Sequence, residues 1–309
     1  IISMRELMIT FSHDNKLQVF ISEQLESKTS SIAKKIFLMD VITQAHVVGI
    51  PIVWVQSLVK LLENGDEEIK SRVLGLIESR RIKSLNGQLN QIIQQEFARP
   101  DFRLKALSSK LLSEPNLSDK EFNMLFSYLG KTNELPIRQM SARIISNAKL
   151  TEAQLGKLAV EQLAKIDLYL LPSLLSAFKN NKSEQIGLAL VAALIATPFR
   201  LDNVSEEDLK ELFKSHSLKI KILADPLLAS LAERNAGRLS KLTNIEAQLT
   251  RGDVASGAKI FFGKGACSSC HAVAGKGAIF GPDLTNIGQI RSNHDILEAI
   301  LYPSASFAR

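Results

Sequence analysis

The sequence predicts an all-α protein, with a helical array over residues 1–250 and a small, loop-rich helical region over residues 251–309. Three observations predict it. Leu, Ile, Ala and Val recur at three- and four-residue intervals through the first region, the period of a helix with one apolar face. Strand-like alternation is scarce. Glycine divides unevenly, with eight of the 16 in residues 1–250 and eight in residues 251–309. Gly costs about 1 kcal/mol in a helix interior, so the long Gly-poor part suits helices. The short Gly-rich part needs another source of order, such as a cofactor.

The helical elements carry their own signals. In Arg138–Leu150 the apolar positions are Met140, Ala142, Ile144, Ile145 and Ala148, one face of a helix. Thr151-Glu152-Ala153-Gln154 and Ser205-Glu206-Glu207-Asp208 read as capping boxes. Asp66-Glu67-Glu68 reads as an acidic first turn, favoured by the helix dipole. Pro100, Pro115, Pro136, Pro172, Pro198 and Pro226 are placed at or near helix boundaries, where proline is tolerated. Helix starts near Pro100, Glu134, Tyr169 and Ser205 lie roughly 35 residues apart, the range of helical repeats. The tetratricopeptide pattern is missing, and the chain has one Trp. The spacing therefore predicts a HEAT/armadillo-like helical solenoid, with an irregular all-α domain as the alternative. Such an array is a scaffold and supplies no chemistry.

Composition narrows the function. The chain has 309 residues, 38 Lys+Arg against 32 Asp+Glu, and a net charge of +6. Hydrophobic residues make up 45%, which excludes disorder as the dominant state. The positive excess forms no block, so no nucleic-acid footprint is expected. The longest apolar stretches, Val47–Val55 and Leu188–Ala196, are about half of what a membrane span needs. No membrane span is expected. Both ends, Ile1-Ile2-Ser3-Met4 and Ala308-Arg309, read as cut from a longer parent. There is no Ser-His-Asp grouping, P-loop or G-x-G-x-x-G, and nothing in residues 1–250 reads as catalytic. This chain by itself is not expected to be an enzyme.

The chemistry lies in Cys267-Ser268-Ser269-Cys270-His271. C-x-x-C-H is the attachment sequence for c-type haem. Residues three apart share one face of a helical turn, so Cys267 and Cys270 can both reach vinyl carbons on one porphyrin edge. His271 follows at once and can place its imidazole under the iron as proximal ligand. Three other readings stand beside this one. A thioredoxin-like pair would need a βαβ context. A zinc site would need Cys267, Cys270 and two histidines, of which only His294 is near besides His271. Two free thiols by chance, able to form a disulfide with each other, is the third.

The surroundings extend the pattern. Gly252–Phe261 reads as a short amphipathic helix, Gly281-Pro282-Asp283-Leu284 follows the motif, and Ile296–Leu301 makes a second helix ending at Pro303. This order resembles a small cytochrome c domain. The resemblance implies that the carbonyl of Pro282 accepts a hydrogen bond from His271. With the helices before it, the tail resembles the Planctomycetes/Verrucomicrobia-type haem-binding proteins. That resemblance rests on Leu249–Asp253, Gly257–Phe261, Cys267–His271, Gly281–Gly288 and Ile300–Ser306. It implies domains at 1–250 (HEAT-like scaffold) and 251–309 (cytochrome c-like, incomplete at its C-terminus). It also implies one covalent haem c on Cys267 and Cys270, and electron transfer to a redox partner protein. The donor it implies is a quinoprotein-type dehydrogenase domain of the parent chain.

The sixth iron ligand is open at this level. The methionines are Met4, Met8, Met39, Met124 and Met140, none of them after His271. A Met beyond residue 309 is expected to serve, with His294 as the bis-histidine alternative. His294 also reads as a plain helix-start residue in Ser292-Asn293-His294-Asp295. His13, His46 and His216 read as isolated surface or core residues. Gly263, Gly265, Gly275, Gly277 and Gly281 are expected to let the backbone pass close to the ring. Haem c is attached after export in bacteria, so periplasmic or otherwise extracytoplasmic residence is expected. A different class of function also fits, a scaffold that binds protein or polysaccharide through its helices with the motif unloaded or zinc-bound.

Overall fold

The computed structural model describes residues 3–96, 98–196, 201, 204–278 and 281–302, and the expectations for Pro198, Pro303 and residues 303–309 lie outside them. The chain is mostly helical. It divides into two compact units, residues 1–166 with 173–178, and residues 167–172 with 179–309.

The first unit runs through α1 (Met4–Thr10), α2 (Asn15–Glu26), α3 (Ile32–Gln44), α4 (Ile52–Asn64), α5 (Glu67–Arg80), α6 (Asn86–Gln94), α7 (Pro100–Leu111), α8 (Asp119–Tyr128), α9 (Leu135–Asn147) and α10 (Glu152–Glu161). Its helices begin where the sequence supplies caps. Asp66 accepts from the backbone N–H of Ile69, and Thr151 with Gln154 closes a reciprocal capping box. Pro100 and Pro136 occupy the first turns of α7 and α9, where the missing N–H costs nothing.

Many helices of this unit pack against the one two places along: α1 on α3, α2 on α4, α3 on α5, α5 on α7, α7 on α9 and α8 on α10. Polar cross-links repeat that step. The hydroxyls of Ser22 and Ser57 meet at 2.5 Å across 35 residues. The Trp54 indole donates to the carbonyl of Gln18 at 3.0 Å, 36 residues back. Lys60 reaches Glu26 at 2.5 Å, Lys105 reaches Ser71 at 2.9 Å and Lys157 reaches Asn123 at 2.8 Å, each 34 residues back. Leu, Ile and Trp54 fill the layer between, with Trp54, Leu58, Leu74 and Leu85 fully buried.

After α11 (Leu171–Ser176), the second unit holds α12 (Glu184–Ile195), α13 (Glu206–Phe213), α14 (Leu218–Glu246), α15 (Val254–Phe262), α16 (Ile287–Ile290) and α17 (Asn293–Leu301). α12 and α13 pack on α14. The helix starts at Pro100, Leu135, Leu171 and Glu206 keep the spacing read from the sequence. Pro226 departs from that reading. It lies inside α14, not at a boundary. A proline there loses its bond to the carbonyl of residue 222. Ile222 is exposed, so water can take that carbonyl, while buried Ala224, Leu227 and Leu231 hold the helix by packing. No helix among the described residues is long and apolar enough to cross a membrane.

His216 is a core residue of this unit, 4% exposed. A Cβ on Gly187 of α12 would lie 2.9 Å from its Nδ1, and the ring of Phe213 stands 6.1 Å away. Neither ring nitrogen has a hydrogen-bond partner among the described residues. Burial first, and then the charge of Lys221, push its pKa below the ordinary imidazole range. The unfolded chain therefore binds a proton more readily than the folded one near pH 6.5 and below, and stability falls as pH falls through that region. Denaturant unfolding at pH 7.5 and pH 5.5 checks this. The wild type is expected to lose more of its midpoint than H216L, and equal losses would remove His216 as the cause.

Candidate functional site

The site is built in the second unit, between α15 and α17. Asp253 caps α15 by accepting from the N–H of Ser256. The chain leaves α15 at Gly263 and enters a 3-10 turn at Cys267–Ser269 through Ala266, which has φ 53°. The N–H groups of Cys270 and His271 both donate to the carbonyl of Cys267, at 3.2 and 2.9 Å. One tight turn thus carries both cysteines and the histidine. Both thiols are exposed and neither forms a disulfide.

A ribbon follows that the sequence reading passed over. β1 (Ala272–Val273) pairs antiparallel with β2 (Lys276–Gly277). Ala274 and Gly275 between them have φ 50° and 72°, the signature of a primed hairpin turn. The sequence signal was the Ala-Gly pair, weak because alanine seldom takes positive φ.

The segment after the ribbon is strapped back onto the motif. The N–H of Gly281 donates to the carbonyl of Cys270 at 2.6 Å, and that of Leu284 to the carbonyl of Ala272 at 2.9 Å. Between these two bonds, the Nδ1 of His271 lies 2.8 Å from the carbonyl oxygen of Pro282. A carbonyl only accepts, so Nδ1 carries the proton and Nε2 is the nitrogen open to a metal. Gly281 lies against the imidazole, and a Cβ there would sit 2.6 Å from its Cε1. Its small size serves the histidine.

His294 stands where α17 begins, behind the N-cap Ser292. Its Nδ1 lies 2.8 Å from a carboxylate oxygen of Glu246, 48 residues back in α14. The hydrogen bond to Glu246 raises its pKa. Arg238 of α14 lies 5.4 Å from the ring centre of Tyr302. These two contacts tie α17 along α14. The roles of Glu246 and Thr285 escaped the sequence reading, because their partners lie 48 and 11 residues away and nothing local links a lone carboxylate or hydroxyl to them. Among the described residues, no group of three His, Cys, Asp or Glu is arranged to hold a metal ion directly.

The surroundings fit a flat apolar group. Among the described residues of 254–302, Ala272 is the one buried apolar side chain, at 5% exposure. Val254, Ile260, Phe262, Ile290 and Ile300 are all exposed. Apolar side chains, two free thiols and an oriented imidazole together suit a covalently bound iron porphyrin.

Residues 254–308 match the family model described as cytochrome c. No curated protein and no solved structure matches the chain. The chain therefore has a C-terminal cytochrome c-like domain, a family that implies covalent haem c and supports haem-based electron transfer in general.

Proposed function

We propose that this chain transfers electrons through one haem c, bound as thioethers to Cys267 and Cys270, with His271 as proximal ligand. When bound, the haem supplies one-electron Fe(III)/Fe(II) chemistry. The protein's part is to hold and tune it. The hydrogen bond from His271 to Pro282 carries this reading, since it leaves Nε2 unprotonated and able to bind a metal, on a turn whose two thiols are exposed. The bond also makes the imidazole more electron-rich, which favours the oxidised metal.

In this reading residues 251–309 are the haem module and residues 1–250 a HEAT-like scaffold. The recurrent packing of helices on the second one along, with cross-links 34 to 36 residues apart, supports the scaffold assignment. We assign His294 to holding α17 on α14 through Glu246, not to the iron. The family resemblance suggests an extracytoplasmic setting, where haem c is attached, and a protein redox partner. Expression with haem-maturation machinery tests the function. The purified chain is expected to give a c-type pyridine haemochrome spectrum with one haem per chain that survives denaturation. A chain that never gains covalent haem would overturn the proposal.

A further inference from the structure

Resting on the haem reading above, we infer that Thr285, pinned by Asp283, is a positioning residue that sets the His271–Pro282 hydrogen bond and through it the reduction potential. The Pro282 ring fixes φ but not ψ, the angle that sets where its carbonyl points. Its position depends on its neighbours. On one side, Gly281 is bonded to Cys270 at 2.6 Å. On the other, Leu284 is bonded to Ala272 at 2.9 Å, and the hydroxyl of Thr285 accepts the N–H of Ala274 at 2.8 Å. Ala274 sits at the first central position of the hairpin turn, where its N–H is not used by the β1–β2 ladder.

The hydroxyl is not free to rotate. Thr285 donates its O–H to the carboxylate of Asp283, and its backbone N–H donates to the same oxygen at 2.7 Å. With the proton committed to Asp283, a lone pair is left for Ala274. The three bonds follow one another in the same order along both segments, 281 to 270, 284 to 272 and 285 to 274. Pro282 is thus clamped from both flanks against the turn that carries His271. Neither Thr285 nor Asp283 hydrogen-bonds to the thiols or the imidazole. Their effect on the iron passes through one carbonyl.

Releasing the far end of the clamp lets the Pro282 carbonyl drift and weakens the bond at Nδ1. A less electron-rich imidazole favours Fe(II), so the potential rises. The test uses the full chain matured with haem, as wild type, T285V and T285S. T285V keeps the shape and removes the hydroxyl; T285S keeps the hydroxyl. Readouts are the covalent haem content, the potentiometric midpoint, the NMR shift of the His271 Nδ1 proton and the thermal midpoint. T285V is expected to raise the ratio of reduced to oxidised protein at a fixed potential about threefold, the scale of one modest hydrogen bond. Its Nδ1 proton should move upfield. T285S should restore both, with the thermal midpoint of the helical body unchanged throughout. A haem-loaded wild type whose T285V keeps the same potential and proton shift overturns this inference alone. A wild type without covalent haem overturns the haem reading and this inference with it.

Discussion

The double variant C267A/C270A, produced with the same maturation machinery, is expected to carry no covalent haem while folding its helices as the wild type does. The two thiols are exposed and make no disulfide, so their loss removes no core contact. Substitutions at exposed sites of this kind usually change stability by no more than about 0.5 kcal/mol. The haemochrome band and the mass increment of the porphyrin should both vanish after denaturation. Each single variant should keep one thioether and therefore some covalent haem. H271A should keep the thioethers but shift the Soret and visible bands of the bound haem, because Nε2 is the proposed iron ligand. Covalent haem in the double variant would show that attachment happens elsewhere.

Loading with haem is expected to change the order of residues 254–302 far more than that of α2–α9. A buried Val, Leu, Ile or Phe contributes about 1.5–3 kcal/mol, and ordering a residue costs about 1–2 kcal/mol of backbone entropy. In α2–α9 buried side chains of every helix offset that cost. In residues 254–302 they do not: Val254 is 87% exposed, Ile290 72% and Ile300 70%, and the helices α15, α16 and α17 bury no residue. A ligand that binds only the ordered form stabilises it by mass action. Hydrogen exchange by mass spectrometry on matured and haem-free protein reads this directly. Amides of α15 and α17 should be protected only with haem, and those of α4 and α7 equally in both. Equal protection of α15 in the two forms would mean that the segment has a core of its own and needs no porphyrin to fill it.

The helices were legible because their signals are local. Thr151 with Gln154, Asp66 and Pro100 act within four residues of themselves, and the structure uses each of them as a cap or first-turn residue. The spacing of helix starts was legible for the same reason, as a count along the chain. The prediction for Pro226 erred where a local rule met tertiary packing. A proline penalty of a few kcal/mol is smaller than the burial of Ala224, Leu227 and Leu231 in one continuous helix.

At the site, the chemistry of Cys267, Cys270 and His271 was written in five adjacent residues, because attachment to a porphyrin edge demands one turn of chain. What holds that turn was not. The strap from Thr285 to Ala274 spans 11 residues and the bond from His294 to Glu246 spans 48. A hydroxyl or a carboxylate looks the same in sequence whether it faces water or a partner. Short-range spacing therefore determined the helices and the haem-binding turn. Only the folded chain decided which distant groups meet to orient the imidazole and to anchor α17, since such pairing is set by packing and leaves no periodic trace.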